Sequence, residues 1–480
     1  MGAEDKRMAD KKTWTILLYL STDNSLSEEG VYALKEIKKV GAKDVNVFAQ
    51  FDPSGRGNKT RRFLINSYDS TGKLKDTDIF QSLDETDMSK PDTLRSFIMA
   101  AAIRFPATTN FMLILAGHGG GISEGFFLRD EERPLSEIPS AFPLKDLKEQ
   151  VFANEDVITA LGNRKIDILG LDSCMMSMVE VCYEIRDCEK LQYVVASEGF
   201  SLDAGWPYER LVSRIKDDNN IEPLALAKAI VQEHAAFYAD YHLGGLSTDL
   251  SVVKLEGIAD LAKKIGDLAE ALSKKFYAEI DLEDNGPDGT EVLTGDLRDR
   301  KKEERLFYKL DGRPFQDSII LAHWAAQSYN GEQSIDLNDF CLMLQKRSHY
   351  FEDKEAPDSI YKRCEAVQRA ILNAVAITCD EGAAFQFSQG VSISLPWSRV
   401  NLPPNYPTLR FSREVPGWLK FIADYADATQ RLPRARPHIV EFRSTPPYSR
   451  GPEGRTLSMR NPPTQFVEHD CEANATEPKR

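Results

Sequence analysis

Five short apolar runs, rich in β-branched side chains, follow one another through the first part of the chain. An apolar run without regularly alternating polar positions is typical of a strand that is buried on both faces. The runs are WTILLYL (14–20), VNVFAQF (45–51), FMLILA (111–116), IDILGL (166–171) and YVVAS (193–197). The pattern therefore predicts a mostly parallel sheet.

Stretches with helical periodicity separate several of these runs. One is predicted to begin at Ser25, where Glu28 completes a capping box, and to end near Gly41. Another begins at Pro91 and runs to Phe105. Strands that alternate with helices in this way indicate an α/β fold, a three-layer α/β/α sandwich.

The second half of the chain is mostly helical in its pattern. The predicted helices span residues 222–242, 255–277, 316–329, 335–347 and 357–377, and GVSISLPW (390–397) indicates a late strand. Residues 429–467 contain seven Arg, seven Pro and two acidic residues, a composition typical of disorder. We therefore predict four parts: an N-terminal tail (1–12), a core (13–220), a helical C-terminal part that completes the fold (221–428) and a basic, disordered tail (429–480).

Charge and hydropathy narrow the classes of partner. The formal net charge is −15, which argues against nucleic acid because phosphate binding needs a cationic surface, and which suits a basic substrate. No apolar run reaches the length of about 18 residues that a membrane span requires. The first twelve residues lack the apolar core of a signal peptide. We therefore predict a cytoplasmic protein with neither a membrane nor a nucleic-acid partner.

The cysteines do not follow a disulfide or zinc pattern. There are seven of them, an odd number at irregular spacing in a chain too large to need covalent staples. No C-x-x-C pair is present, so no metal site is predicted. We expect the cysteines to be reduced, and those within predicted helices to be structural.

Two polar residues follow directly after predicted strands. FMLILA leads into GHGGG (117–121), which contains His118, and IDILGL leads into DSC (172–174), which ends in Cys174. In a parallel sheet, functional groups gather beyond the carboxyl ends of the strands. If the two strands are neighbours, these two side chains share one crevice.

The two side chains suit nucleophilic catalysis. An imidazole accepts the proton of a thiol, and the thiolate is the nucleophile. A helix predicted over residues 175–187 would add its dipole at Cys174. The N–H groups of Gly119 and Cys174 are candidates for an oxyanion hole. HGGG also occurs in lipases and esterases, but those need a separate G-x-S-x-G elbow downstream; the match in this sequence, GISEG (121–125), begins at the last glycine of HGGG itself and follows no second strand.

Six segments carry a resemblance that covers roughly residues 13–425. They are WTILLYLSTDNSL (14–26), DTLRSFIMAAAIRFPATTNFMLILAGHGGG (92–121), DILGLDSCMMSMVEVCYEIRD (167–187), VVASEGFSLDAGWPY (194–208), IDLNDFCLML (335–344) and GVSISLP (390–396). Together they resemble the clostripain family of cysteine peptidases, in the caspase-like clan. The resemblance implies a caspase-like catalytic core in residues 13–220, with His118 and Cys174 as the catalytic pair and the backbone of Gly119 and Cys174 as oxyanion donors.

One position departs from the family pattern. The family commonly has Asp before the catalytic histidine, whereas this chain has Gly117. The group that orients the imidazole of His118 therefore stays open, and the tautomer is less constrained.

The resemblance also implies cleavage after Arg or Lys through an acidic S1 pocket. The family's S1 aspartate falls on Asp172, and a second acidic position falls on Asp203. An aspartate at the base of a pocket can pair with a guanidinium group. By position Asp172 could equally cap a helix, and Asp203 could be a solvated loop residue.

One further feature follows from the resemblance. Members of this clan often mature by cutting between the catalytic histidine and cysteine, where Lys145 and Lys148 are the best candidates. The Arg-rich tail is a second possible target, and it is suggested by its composition and not by the resemblance. No cofactor is required. A segment that begins at Asp281 resembles a calcium loop, but its twelfth position is Val292 instead of Glu, so a solvated acidic loop and a calcium site both remain open.

The sequence thus predicts a cysteine endopeptidase whose partners are polypeptides with Arg or Lys at the scissile position, acting through an acyl-enzyme intermediate. Two alternatives remain. The same scaffold could transfer the acyl group to an amine, as a ligase does, or it could serve as a binding or signalling module with a weakened catalytic pair.

Overall fold

The computed structural model describes nine parts of the chain. They are residues 13–41, 45–55, 57–124, 146–202, 204–240, 246–284, 314–431, 439–442 and 466–469. The chain divides into two compact units, Met1–Ala426 and Asp427–Arg480, and each is described by itself.

The described part of the first unit contains a nine-stranded sheet and a three-stranded sheet. Its strands are β1 (Trp14–Thr22), β2 (Asn46–Pro53), β3 (Arg61–Leu64), β4 (Ile79–Ser82), β5 (Asn110–Ala116), β6 (Ile166–Asp172), β7 (Leu191–Ala196), β8 (Thr248–Lys254), β9 (Ser328–Tyr329), β10 (Ser334–Asp336), β11 (Val375–Glu381) and β12 (Ser392–Ser394). The order in the large sheet is β11-β8-β7-β6-β5-β1-β2-β3-β4.

The centre of the large sheet is parallel. Strands β7, β6, β5, β1 and β2 pair in parallel, and each corresponds to one of the five apolar runs. Nearly every side chain of β1, β5 and β6 is buried, as expected for strands covered on both faces. The five predicted strands are confirmed.

Four strands at the edges of this sheet were not predicted. β3 and β4 are short and carry polar residues, while β8 and β11 pair antiparallel at the opposite edge. β11 escaped prediction because it starts at Val375, directly after a helix that ends at Ala374. No Gly or Pro marks the change, so the apolar pattern looks like one long helix.

Thirteen α-helices are described. They are α1 (Ser27–Val40), α2 (Pro91–Arg104), α3 (Gly121–Glu124), α4 (Glu155–Leu161), α5 (Val179–Ile185), α6 (Tyr208–Asp217), α7 (Pro223–Asp240), α8 (Ile258–Asp284), α9 (Pro314–Ala325), α10 (Leu337–Arg347), α11 (Ile360–Ala374), α12 (Arg410–Glu414) and α13 (Pro416–Arg431). A π-helical segment, Leu147–Phe152, precedes α4.

These helices cover both faces of the sheet. On one face, Leu18 and Leu20 of β1 share a hydrophobic core with residues of α1, α6 and α7. Tyr19 points the other way, since side chains alternate along a strand, and its ring lies 5.6 Å from that of Phe97 in α2. The three-layer α/β/α architecture is therefore confirmed, with a mostly parallel centre.

The small sheet, β9, β10 and β12, is antiparallel and joins the C-terminal part to the core. Ser392 donates its N–H to the carbonyl of Ser177 at 2.9 Å. Ser394 donates to Oε1 of Glu180, also at 2.9 Å. These bonds fix β12 beside the residues that follow Cys174.

The described part of the second unit beyond α13 is an antiparallel strand pair, β13 (Ile439–Phe442) and β14 (Phe466–His469). The rest of the basic tail lies outside the described residues, so its disorder stays a prediction. None of the helices in the described ranges combines the length and the apolar character needed to cross a bilayer.

Candidate active site

The two strand ends predicted to meet are neighbours in the sheet. β5 and β6 pair in parallel with Ala116 opposite Asp172, and the N–H of Gly117 donates to the carbonyl of Asp172 at 3.3 Å. His118 and Cys174 follow within two residues of these ends, and both line one cleft. The structure therefore brings together the two side chains that the sequence singled out.

The cleft encloses about 550 Å³ of empty space, part of it open to solvent. Its walls come from α1, from the ends of β1, β5 and β6, and from the loop before α6. The lining residues are Leu20, Thr22, Leu26, Glu29, Gly30, Ala33, Ala116, Gly117, His118, Asp172, Cys174, Ser201, Leu202, Ala204, Gly205 and Tyr208.

The thiol of Cys174 is half-buried and contacts the backbone of Ser201. The N–H of Ser201 donates to Sγ at 3.3 Å, and Sγ lies 3.8 Å from the Ser201 carbonyl oxygen. A backbone N–H directed at sulfur stabilises the thiolate more than the thiol. The thiol thus has access to the cleft and a donor suited to its charged form.

The helix predicted directly after Cys174 begins later than expected. Helix α5 starts at Val179, with Met178 as its N-cap, and Met175 has a left-handed backbone with φ 60°. The N–H groups of Met175 and Ser177 donate to the carbonyls of Gly199 and Ser197, both at 2.8 Å. The prediction of a helix N-terminus at Cys174 was wrong, because these long-range bonds hold the segment as a loop.

Gly119 lies against the backbone of Cys174. A Cβ placed on Gly119 would stand 2.5 Å from the Cys174 carbonyl oxygen and 3.1 Å from the Cys174 nitrogen. Real Cβ atoms do not approach backbone this closely, so only glycine fits here. The two backbones named as oxyanion donors therefore adjoin each other.

His118 is half-buried, and its Nε2 lies 3.1 Å from the hydroxyl oxygen of Ser25. Ser25 was expected to cap α1 in a capping box with Glu28. That prediction was wrong: α1 begins at Ser27, its N-cap is Leu26, and no side chain caps it. The Ser25 hydroxyl contacts the imidazole instead.

Asp172 is buried beside the cleft. Its Oδ2 accepts a hydrogen bond of 2.7 Å from the hydroxyl of Tyr208 and one of 3.2 Å from the N–H of Trp206. Burial raises its pKa to about 6, although these two bonds act in the opposite direction. Asp172 is the last residue of β6, does not cap a helix, and is one of the residues that line the cleft.

Two of the predicted residues, Asp203 and Lys145, lie outside the described residues. Lys148 lies in the π-helical segment, between Leu147 and Val151, which are both fully buried. Of the candidate calcium loop, the first four residues continue α8, and the remainder lies outside the described ranges.

The other described cysteines differ from Cys174. Burial raises the pKa of Cys182 to about 12 and that of Cys188 to about 11, and it also raises that of Cys379 to about 12. Thiols with such pKa values are poor nucleophiles at neutral pH. Within the described residues Cys174 is therefore the thiol best suited to attack, and the prediction that Cys182 and Cys188 are structural agrees with their burial.

Sequence reasoning missed four residues at the cleft: Ser25, Glu29, Ser201 and Tyr208. Ser25, Ser201 and Tyr208 lie in segments that carry the family resemblance, but no pattern within those segments marks them individually. Ser25 and Glu29 stand at the start of an amphipathic helix, where serine and glutamate are common for local reasons, and nothing in the pattern separates that role from a contact across the sheet.

Comparison with known proteins agrees with this geometry. The sequence model that defines the clostripain family matches residues 18–396 of this chain. A solved structure of a secreted C11 cysteine protease from Bacteroides thetaiotaomicron, in complex with an irreversible peptide inhibitor, is 15% identical, with a TM-score of 0.56 over 84% of this chain and 99% of that chain. An inactive zymogen C11 protease from Parabacteroides distasonis is 19% identical, with a TM-score of 0.50 over 84% and 98%.

At these identities the solved structures show the fold alone, and a search of curated proteins found no match. The family match is the broader finding, because it takes in most of the chain, including both strand ends with His118 and Cys174. The chain therefore belongs to the clostripain family and is a cysteine peptidase.

Proposed function

We propose that this cysteine peptidase is an endopeptidase that cleaves polypeptides after Arg or Lys, with Cys174 as the nucleophile and His118 as the general base. One observation supports the proposal above all: a single cleft contains the half-buried thiol, the imidazole and the buried carboxylate of Asp172. The first two groups suit acyl transfer, and a desolvated carboxylate selects a cationic side chain.

The reaction follows from these groups. His118 takes the thiol proton, and the sulfur of Cys174 attacks the carbonyl carbon of the scissile bond. The N–H groups of Gly119 and Cys174 donate to the oxyanion. The intermediate collapses, the amine leaves with the proton from His118, and a thioester remains. Water then attacks the thioester, gives a proton to His118, and releases the acid product and the thiol.

The hydroxyl of Ser25 is the hydrogen-bond partner of the His118 imidazole. Sequence alone could not assign this partner, because Gly117 stands where the family commonly has Asp. If the Ser25 oxygen accepts from Nε2–H of His118, the tautomer is fixed and Nδ1 is the nitrogen that receives the thiol proton. The distance of 3.1 Å between the Ser25 hydroxyl oxygen and Nε2 is within hydrogen-bond range. Ser25 acts through His118 and is therefore a positioning residue.

Substrate choice tests the proposal directly. We expect peptides that differ only at the residue before the scissile bond to be hydrolysed when it is Arg or Lys, with kcat/KM at least about 100-fold higher than with Leu. Product masses show where each peptide is cut. Equal values of kcat/KM for Arg, Lys and Leu would contradict the assignment of an acidic S1 pocket.

The pKa of Asp172 predicts how substrate affinity depends on pH. Its value of about 6 means that the carboxyl becomes neutral as the pH falls through that value, so it loses its attraction for a cation. We expect the Kd of the Cys174→Ala variant for a peptide ending in Arg to rise about tenfold per pH unit below that point. Calorimetric titration between about pH 5 and 8 measures this without interference from turnover.

Asp172→Asn, in the same Cys174→Ala background, is the matched control. Its amide oxygen can still accept from Tyr208 and Trp206, and its affinity should be weak and nearly independent of pH. Because the folded-state pKa of Asp172 is raised, folding stability falls as the pH rises from the unfolded-state pKa of about 3.9 to about 6, and this loss is fully present at neutral pH, so Asn should not lower the melting temperature there. A pH dependence that survives in Asp172→Asn would show that another group controls binding.

Three further expectations belong to this proposal. Catalysis uses only groups of the chain, and a role for calcium is the alternative that the sequence leaves open. If the chain cleaves itself between His118 and Cys174, we expect the cut after Lys145 and not after Lys148, because cleavage after Lys148 would require unfolding of the π-helical segment. We also propose a cytoplasmic location, because the six described cysteines are free, as is usual in a reducing compartment. The Bacteroides thetaiotaomicron protein, in contrast, is described as secreted.

A further inference from the structure

The carboxylate of Asp172 offers only part of its hydrogen-bonding capacity to a substrate. Its Oδ2 already accepts from the hydroxyl of Tyr208 and from the N–H of Trp206, and a Cβ on Gly205 would stand 3.0 Å from the same oxygen. Oδ1 is the oxygen left for a ligand. One oxygen is enough for an ammonium group, but a guanidinium group presents two N–H edges in a rigid fork.

A second carboxylate lines the same cleft. Glu29, in the first turn of α1, is one of the lining residues. Its Oε2 is buried and, among the described residues, has no hydrogen-bond partner. A buried carboxylate oxygen without a donor is costly, so its position calls for a ligand that supplies one.

The charge of the cleft has one sign. Among the described residues that line it, Glu29 and Asp172 are acidic, and none is Lys or Arg. The two carboxylates come from different elements: Asp172 ends β6, and Glu29 stands on the helix that forms another wall. A cation in the cleft would therefore meet acceptors from two sides.

We propose that Glu29 is a specificity-determining residue of the S1 pocket, where it accepts the second edge of a substrate guanidinium group and so makes the enzyme prefer Arg to Lys. The inference rests on the proposed function, since it requires that the substrate side chain enters this cleft. A lysine ammonium, as a compact charge, is served by Oδ1 of Asp172 and gains little from Glu29.

A local role for Glu29 would have different consequences. Acidic residues in the first turn of a helix interact favourably with the helix dipole, and such a role would affect stability without affecting the choice between Arg and Lys. Glu28 provides the comparison, because it lies in the same turn, is exposed and does not line the cleft.

The experiment compares wild type with Glu29→Gln, Glu29→Asp and Glu28→Gln. Three fluorogenic peptides with Arg, Lys or Leu before the scissile bond are hydrolysed at about pH 7.5, where Asp172 is ionised. We expect Glu29→Gln to lower kcat/KM for the Arg peptide roughly 10- to 100-fold, as for a lost hydrogen bond to a charged group. The Lys peptide should lose less than about threefold. Glu28→Gln should leave both unchanged, and Glu29→Asp should recover part of the loss.

The outcomes separate the two levels of the proposal. Wild type that cleaves the Leu peptide as well as the basic ones contradicts the proposed function itself. Wild type that prefers basic peptides, together with a folded Glu29→Gln that keeps the wild-type ratio of Arg to Lys, contradicts only the role of Glu29. The melting temperature and the alkylation of Cys174 establish that each variant is folded with an accessible thiol. In a folded Glu29→Gln variant, an equal loss of kcat/KM for all three peptides would therefore also contradict the role of Glu29.

Discussion

Replacement of Cys174 by alanine is expected to lower kcat for an Arg peptide by roughly 10⁴-fold or more, as removal of a nucleophile does in other acyl-transfer enzymes. His118→Ala should lose activity on a similar scale, because the thiol then lacks its proton acceptor. Both side chains are half-buried and line an open cleft. Neither change should therefore lower the melting temperature by more than a few degrees, roughly the effect of about 1 kcal/mol.

Two controls make this result specific to the pair. A thiol reagent should label one cysteine fewer in the Cys174→Ala variant than in wild type at neutral pH, since burial raises the pKa of Cys182, Cys188 and Cys379. Cys471, in the tail predicted to be disordered, should react in both proteins. Intact mass should show a full-length chain in Cys174→Ala if processing is autocatalytic. A Cys174→Ala variant that hydrolyses peptides near the wild-type rate would mean that another residue is the nucleophile.

The support of Cys174 extends into the second half of the chain. Asp249 of β8 accepts the N–H groups of Glu198 and Gly199 at 2.7 and 2.9 Å, and Oε1 of Glu198 accepts from Gly390 at 2.6 Å. This segment in turn holds the loop after Cys174 through Gly199. Strand β8, which lies beside the edge strand β11, and the residues before β12 thus position Cys174, the proposed nucleophile, although they lie far from it in sequence.

The parts that sequence predicted best are those whose pattern is local. Continuous apolar runs mark the five central strands, and the carboxyl ends of neighbouring parallel strands place His118 next to Cys174. The loop after Cys174 could not be predicted in the same way, because its methionine-rich sequence, MMSM (175–178), is equally compatible with the first turn of the helix that follows. Its backbone is held open by bonds to Ser197 and Gly199, which no local pattern reveals.

Ser25 and Glu29 illustrate the same limit. A serine followed three residues later by a glutamate is a standard helix start, yet the Ser25 hydroxyl contacts an imidazole 93 positions away. In sequence Glu29 resembles an ordinary first-turn acid, but in the structure it lines the cleft and its Oε2 has no hydrogen-bond partner in the part of the chain that the structure describes. Both features depend on tertiary structure, because they arise where the start of α1 lies beside the carboxyl end of β5.

Gly119→Ala is expected to lower kcat about 10²- to 10³-fold, the loss that follows removal of an oxyanion donor. A Cβ at this position would stand 2.5 Å from the Cys174 carbonyl oxygen and 2.8 Å from Cβ of Ser173. The backbone of one strand end must therefore move, and the N–H groups of Gly119 and Cys174 would no longer converge on the oxyanion. The loss should appear in kcat and not in KM, because the base of the cleft at Asp172 is untouched.

A matched glycine and a chemical probe distinguish this effect from a general loss of structure. Gly417→Ala places its Cβ no closer than 3.4 Å to any neighbouring atom and should leave kcat unchanged. Alkylation of Cys174 needs the thiolate but no oxyanion donor, so it should proceed in Gly119→Ala at nearly the wild-type rate. A folded Gly119→Ala enzyme with normal kcat would show that the contact between Gly119 and Cys174 does not form the oxyanion hole. Loss of alkylation together with loss of activity would instead place the damage at the thiol.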